Sequence, residues 1–118
     1  MKKNIRKTKV IFRKFKKDGS IIAIFPEELS ILSAEACWSY MRVGQHSPCI
    51  PVVITPVTDL AKEKEYRSLF EELESIGYNL EIKERNHPIY KRKRAQQLKK
   101  LLQNQDNTIT TIEYGKLG

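Results

Sequence analysis

Apolar and polar positions alternate roughly over TKVIFRKF, residues 8–15, and the run is rich in β-branched and aromatic side chains, which predicts a first strand. SIIAIF, 20–25, is almost continuously apolar and predicts a return strand covered on both faces and ended by Pro26. Asp18-Gly19 between them signals a hairpin, because a two-residue type I′ turn needs positive φ at both central positions. Residues 27–36 read as a loop or one short helical turn. ACWSYMRV, 36–43, alternates again, with Trp38 and Tyr40 on one face and Cys37, Ser39, Met41 and Val43 on the other. Gly44 reads as a bend. IPVVITPV, 50–57, looks β-like, but Pro51 and Pro56 restrict it to an edge strand or extended loop.

From Asp59 the apolar period lengthens from two to that of a helix. Tyr66, Leu69, Phe70, Leu73 and Ile76 form one stripe of a helix over about 59–76, with Thr58 or Asp59 as cap and Gly77 at the C′ position. YNLEIKER, 78–85, alternates as a half-buried strand. Pro88 opens a second helix at N1, capped by Asn86 or His87, which reaches about Gln103 through Ile89, Ala95, Leu98, Leu101 and Leu102. The predicted assembly is α+β: a mainly antiparallel sheet of four to five short strands, one face under the packed helix (about 59–76), and a second, basic helix (about 88–103) at the periphery. The chain divides into a flexible basic N-terminus (1–7), an α+β domain (8–86), the basic helix (87–103) and a tail (104–118) in which TITTIEY suggests a short strand.

Charge changes the picture more than size does. A chain of 118 residues, 40% hydrophobic and 31% charged, suits one soluble domain. No apolar run is long enough to span a bilayer and no signal-peptide core follows the basic start, so a cytoplasmic protein with no membrane partner is expected. Of the net charge of +8, residues 1–17 hold nine Lys or Arg and no acid, and residues 87–102 hold six and no acid. The stretch 18–86 is acidic on balance. Lys9, Arg13, Lys14, Lys16 and Lys17 at one end, and Lys91, Arg92, Lys93, Arg94, Lys99 and Lys100 at the other, are therefore the candidate contacts to a polyanion, most simply nucleic acid with RNA favoured. Four consecutive cations surround a helix at about 100° each and repel one another, so a polyanion would order that turn. Tyr90 is placed to stack on an exposed base, and Trp38 and Tyr40 are further candidate stacking or anchor residues. Replacing Lys91 to Arg94 by Ala is expected to remove binding and leave the fold intact.

The catalytic options are weaker. Cys37, His46, Cys49 and His87 could supply zinc donors, but only His46 and Cys49 are closely spaced, so no metal and no cofactor is expected. Cys37 with His46 could form a thiolate–imidazole couple, yet no helix N-terminus follows Cys37 to lower its pKa. Glu63, Glu65, Glu71, Glu72 and Glu74 read mostly as the solvated face of their helix. There is no phosphate loop, nucleophile elbow or H-E-x-x-H. The chain is expected not to be an enzyme. Trp38, Tyr40, Arg42, Gln45 and His46 mark a strand-end corner, where Gln45 and His46 either satisfy local backbone groups or face a ligand.

FRKFKKDGSIIAIFP, CWSYMRVGQH, EYRSLFEEL and IGYNL occur in an order that resembles a family of small, functionally uncharacterised bacteriophage and mobile-element proteins associated with Bacteroidetes-type bacteria. Its pattern is F-R-K, I-I-A-x-F-P, C-x-S-Y-x-H-V-G-Q-H and E-Y-x-x-L-x-x-E-L-E-x-x-G-Y-x-L, and the match covers about residues 10–85. Arg42 stands where the pattern has a His, and Ser47-Pro48-Cys49 replaces a small-residue stretch with an Asp. The basic 88–102 segment lies outside the match. The resemblance implies a bacterial host. With the basic ends it suggests a non-enzymatic accessory protein that binds a nucleic-acid-containing host complex: a counter-defence inhibitor of the anti-CRISPR type, engaging an RNA-guided effector or its guide RNA. The rivals are a protein-interaction module without nucleic acid, homodimeric through an edge strand or the last helix, and a small-nucleotide-binding protein built around Cys37, Arg42 and His46.

Overall fold

The computed structural model of the chain describes residues 6–42 and 45–117, with side chains as far as residue 103. The expectations for residues 1–5, Val43 and the Gly44 bend lie outside the described residues. The elements run β1 (Thr8–Phe15), β2 (Ile21–Leu29), β3 (Cys37–Met41), β4 (Gln45–Cys49), α1 (Pro51–Ile54), a 3-10 turn (Thr55–Val57), β5 (Thr58–Leu60), α2 (Glu63–Ser75), β6 (Leu80–Lys83) and α3 (Pro88–Leu117). The fold is α+β, as expected. Among the described residues the sheet has six strands, ordered β4-β3-β2-β1 with β5 and β6 both on the far edge of β1. β5 pairs antiparallel with Arg13–Phe15, and β6 pairs parallel with Thr8–Ile11, so the sheet is mixed.

Period-two alternation on β1 and β2 supplies two cores. Val10, Phe12, Ala23, Phe25 and Tyr40 meet Leu69 and Leu73 of α2 on one face. Phe12 stacks on Tyr66 at 4.4 Å. Full burial of Leu69 or Leu73 contributes about 1.5–3 kcal/mol each. Ile11, Ile22, Ile24, Cys37 and Cys49 meet Tyr90 of α3 on the other face. The continuous apolarity of β2 thus has its predicted cause. The second cover is α3 itself, which is packed on the sheet where a peripheral helix was expected.

Several boundaries differ from the pattern for local reasons. The hairpin between β1 and β2 is longer than a two-residue turn: the Phe15 amide donates to Ser20 O and the Gly19 amide to Phe15 O, with Gly19 at φ +75. The Asp18 carboxylate takes the Ser20 amide and hydroxyl instead of serving a type I′ turn. Residues 51–57 are helical turns, because Pro51 and Pro56 each occupy a first-turn position that lacks an N–H demand. β4, immediately before them, forms one edge of the sheet. α2 begins at Glu63, not Asp59, since Thr58–Leu60 are taken by the sheet; Glu65 Oε1 accepts the Lys62 amide at its start. It ends as expected at Gly77, φ +111, in a Schellman arrangement: Tyr78 N donates to Leu73 O and Gly77 N to Glu74 O. Ile76 of the predicted stripe is 52% exposed. At α3, His87 caps Pro88 as predicted, its Nδ1 accepting from the Ile89 amide. The helical backbone continues through the tail to Leu117 where a short strand was expected.

The largest departure is at Pro26, which does not end β2. The ladder with β3 shifts register between Phe25 and Leu29, so Pro26 sits in a buried bulge. A bulge strands backbone carbonyls, and α3 answers them. Arg94 Nη1 donates to Pro26 O at 2.5 Å and its Nε to Ala34 O at 2.9 Å, while Gln97 Nε2 donates to Glu27 O at 2.7 Å. The inward stripe of α3 is accordingly Tyr90, Arg94 and Gln97. Ile89, Ala95, Leu101 and Leu102, expected to face inward, are exposed. Polar side chains hold this helix because the surface it covers is rich in unpaired acceptors.

Candidate nucleic-acid interface

The structure sorts the predicted cations into two sets. Lys9 and Lys93, from the two basic ends of the sequence, converge on Glu27 Oε2 at 3.1 and 2.5 Å. Burial raises the Glu27 carboxyl, but the hydrogen bonds and charges of Lys93 and Lys9 outweigh it and hold the group below its ordinary value. Lys14 pairs with Glu65 at 2.5 Å, and that hydrogen bond holds its ammonium above the usual range. Lys91 pairs with Glu35 at 2.5 Å. Arg13 is half-buried: its Nε donates to Thr58 Oγ1 at 2.7 Å and its Nη2 to Thr58 O at 3.0 Å, clamping β5 to β1. Arg94 is 3% exposed. Tyr90 is also buried, at 6%, and its ring belongs to the apolar core instead of standing ready to stack on a base. Replacing Lys91 to Arg94 together would therefore remove the Arg94 contacts to Pro26 and Ala34 and the pairs with Glu35 and Glu27, so a loss of stability accompanies it where an intact fold was expected.

The second set is free of such contacts. Arg92, Lys99 and Lys100 are exposed on α3, and among the described residues none has an acidic partner. At about 100° per residue, Arg92, Gln96, Lys99 and Gln103 fall on one side of the helix, opposite the Tyr90–Arg94–Gln97 stripe. All four are exposed. They span twelve residues, or about 16 Å between the first and the last at 1.5 Å per residue. Lys16 and Lys17 are exposed on the β1–β2 loop, at the end of β1 away from Lys9 and Glu27. There the Lys17 charge adds to the stronger effect of the Ser20 hydrogen bonds in lowering the Asp18 carboxyl.

The corner of β3 and β4 resolves differently. Tyr40 is 2% exposed, and its hydroxyl donates to Glu72 of α2. Arg42 and Gln45 are exposed at the turn. His46 faces Tyr40 across the β3–β4 ladder, with ring centroids 4.7 Å apart. Its Nε2 lies 2.7 Å from the hydroxyl of Tyr78, a residue no sequence pattern linked to it. The link depends on the Schellman turn, which throws Tyr78 back over Phe25, where the two rings stack at 5.0 Å. Trp38 remains 36% exposed beside them.

Cys37 points to the opposite side of the sheet from His46, so the two form no nucleophilic couple. Cys37 faces Cys49 across β3 and β4 with the sulfurs 3.8 Å apart. Their hydrogen bond and burial push the Cys37 thiol up. Cys37, His46, Cys49 and His87 do not assemble, and among the described residues no group of three His, Cys, Asp or Glu could hold a metal ion. Among the described residues no helix is long and apolar enough to cross a membrane. Comparisons of the chain with protein-family models, curated proteins and solved structures find no match.

Proposed function

We propose that the protein is a non-enzymatic nucleic-acid-binding protein whose contact surface is the outward side of α3, with RNA as the favoured partner. The observation that carries this reading is the division of the α3 cations. Arg94 is consumed by backbone carbonyls and the exposed Lys91 and Lys93 are paired with carboxylates, while Arg92, Lys99 and Lys100 have no acidic partner among the described residues. Point charges on one helical side engage phosphates with little sequence preference. Gln96 and Gln103, interleaved with Arg92 and Lys99, add amide donors and acceptors suited to ribose hydroxyls. The narrower form of this reading is a counter-defence inhibitor that engages a guide RNA or an RNA-guided effector in a bacterial host. It predicts nuclease-sensitive recovery of such an effector with the tagged protein.

The direct test is fluorescence anisotropy of a labelled RNA with the Arg92→Glu/Lys99→Glu/Lys100→Glu variant. Circular dichroism should match the parent protein, because none of the three side chains holds the fold. RNA affinity should fall at least tenfold. Undiminished affinity in a folded variant would remove α3 as the contact surface.

A further inference from the structure

On the other side of the sheet, past the C-terminal end of α2, lies a cleft of about 300 Å³. Its walls are aromatic. Phe25 and Tyr78 form the stacked floor, and the His46 ring stands over them at 6.3 and 6.0 Å. Trp38 meets His46 edge-on at 6.5 Å. Arg6 and Glu28, paired at 3.1 Å, form the charged rim. Packing accounts for Phe25, which is 1% exposed, whereas Trp38 keeps 36% of its surface exposed and His46 is exposed as well, although four aromatic rings surround it.

We propose that this cleft binds one unstacked nucleobase together with its phosphate, independently of the α3 surface. Its size, at the lower end of ligand pockets, suits a single ring system with one substituent. Trp38 and His46 offer faces for stacking, a mode open to every base. When His46 Nε2 carries its proton, it donates to the Tyr78 oxygen, and the Tyr78 hydroxyl proton is free for an acceptor on the base. Glu28 accepts ring or exocyclic N–H groups, and the Arg6 guanidinium stands at the rim for the phosphate. Neighbouring Glu27 turns to α3 while Glu28 turns to the cleft, so the two surfaces share a strand but no side chain.

The sequence contains a single tryptophan, Trp38, so indole fluorescence reads the cleft directly. The probes are purine and pyrimidine nucleoside monophosphates, ribose 5-phosphate, and a short RNA tested as a single strand and as a duplex. Excitation at the red edge of the indole band avoids the bases. Saturable quenching is expected with mononucleotides at roughly millimolar concentration or below, and with the single strand, whose bases are accessible. Ribose 5-phosphate and the duplex should give none. His46→Ala should weaken mononucleotide binding about tenfold, and Tyr78→Phe, which keeps the stacked ring, should weaken it less. Arg92→Glu/Lys99→Glu should leave it unchanged, which separates this site from the α3 surface. Absence of quenching by every mononucleotide would overturn the proposal, as would equal quenching by ribose 5-phosphate or full retention of quenching in both folded cleft variants.

Discussion

Arg92 and Arg94 lie two residues apart on α3, in a run of four cations that looks uniform in sequence, and the fold gives them opposite tasks. Arg94 is buried and joins α3 to the carbonyls of Pro26 and Ala34. Arg92 stands on the far side of the helix, exposed. Helical phase separates the two, and so does what each meets. A proline bulge in β2 creates acceptors on one side, and on the other Arg92 meets no acidic group among the described residues. A run of like charge is thus no single surface. In this protein Arg94 of that run is buried against the sheet and Arg92 is turned away from it.

The contrast can be broken most severely at Arg94. Arg94→Ala leaves two carbonyls unpaired and should cost about 2–3 kcal/mol, lowering the melting temperature by about 10 °C or more in differential scanning calorimetry. Arg94→Lys should recover only part of this, because one ammonium cannot reproduce the guanidinium fork. A melting temperature unchanged in Arg94→Ala would show that the bulge carbonyls need no partner from α3.

A smaller effect belongs to Glu27, where Lys9 and Lys93 converge. Glu27→Gln keeps an acceptor but loses the charge, and should cost about 1 kcal/mol, within the range of partly exposed ion pairs. Acid should act in the same direction. The folded-state carboxyl sits below its ordinary 4.5, so its contribution is complete above that value and is lost as pH falls through the lower folded value. Thermal melts of the parent protein should therefore decline in that acid window, and Glu27→Gln should decline less. Equal declines would assign the acid loss to other carboxylates, among them Glu65, which the hydrogen bond from Lys14 also holds low.

The smallest stability effect is expected at Arg92. Arg92→Ala should stay within about 0.5 kcal/mol of the parent while weakening RNA binding. Its stability and binding readouts should separate, whereas at Arg94 both should fall together.

Much of this fold is legible in the sequence. Alternation marks β1, β3 and β6, continuous apolarity marks β2, the 3.6 period marks α2, and Gly77 and Pro88 mark the ends of helices, because each of these signals is local. What pattern does not carry is long-range satisfaction. Nothing in IIAIFPEEL says that the strand continues through Pro26, since the bulge is stable only with Arg94 and Gln97 in place some seventy residues on. For the same reason Lys9, Lys14, Lys91 and Lys93 looked available: their partners Glu27, Glu65 and Glu35 are distant in sequence. The β3–β4 corner was visible as a cluster of Trp38, Tyr40 and His46. Tyr78, which completes it, was read only as one apolar position of a strand.

Arg92, Lys99 and Lys100 are proposed to meet phosphates. Measuring the affinity for single-stranded RNA across a range of salt concentrations tests this most directly. Three neutralised phosphates give a slope of log K against log salt of about −2. The parent protein should show a slope at least that steep, and the Arg92→Glu/Lys99→Glu/Lys100→Glu variant should be nearly flat and weaker throughout. Equal slopes and affinities in the two proteins would contradict the assignment of α3 as the nucleic-acid surface.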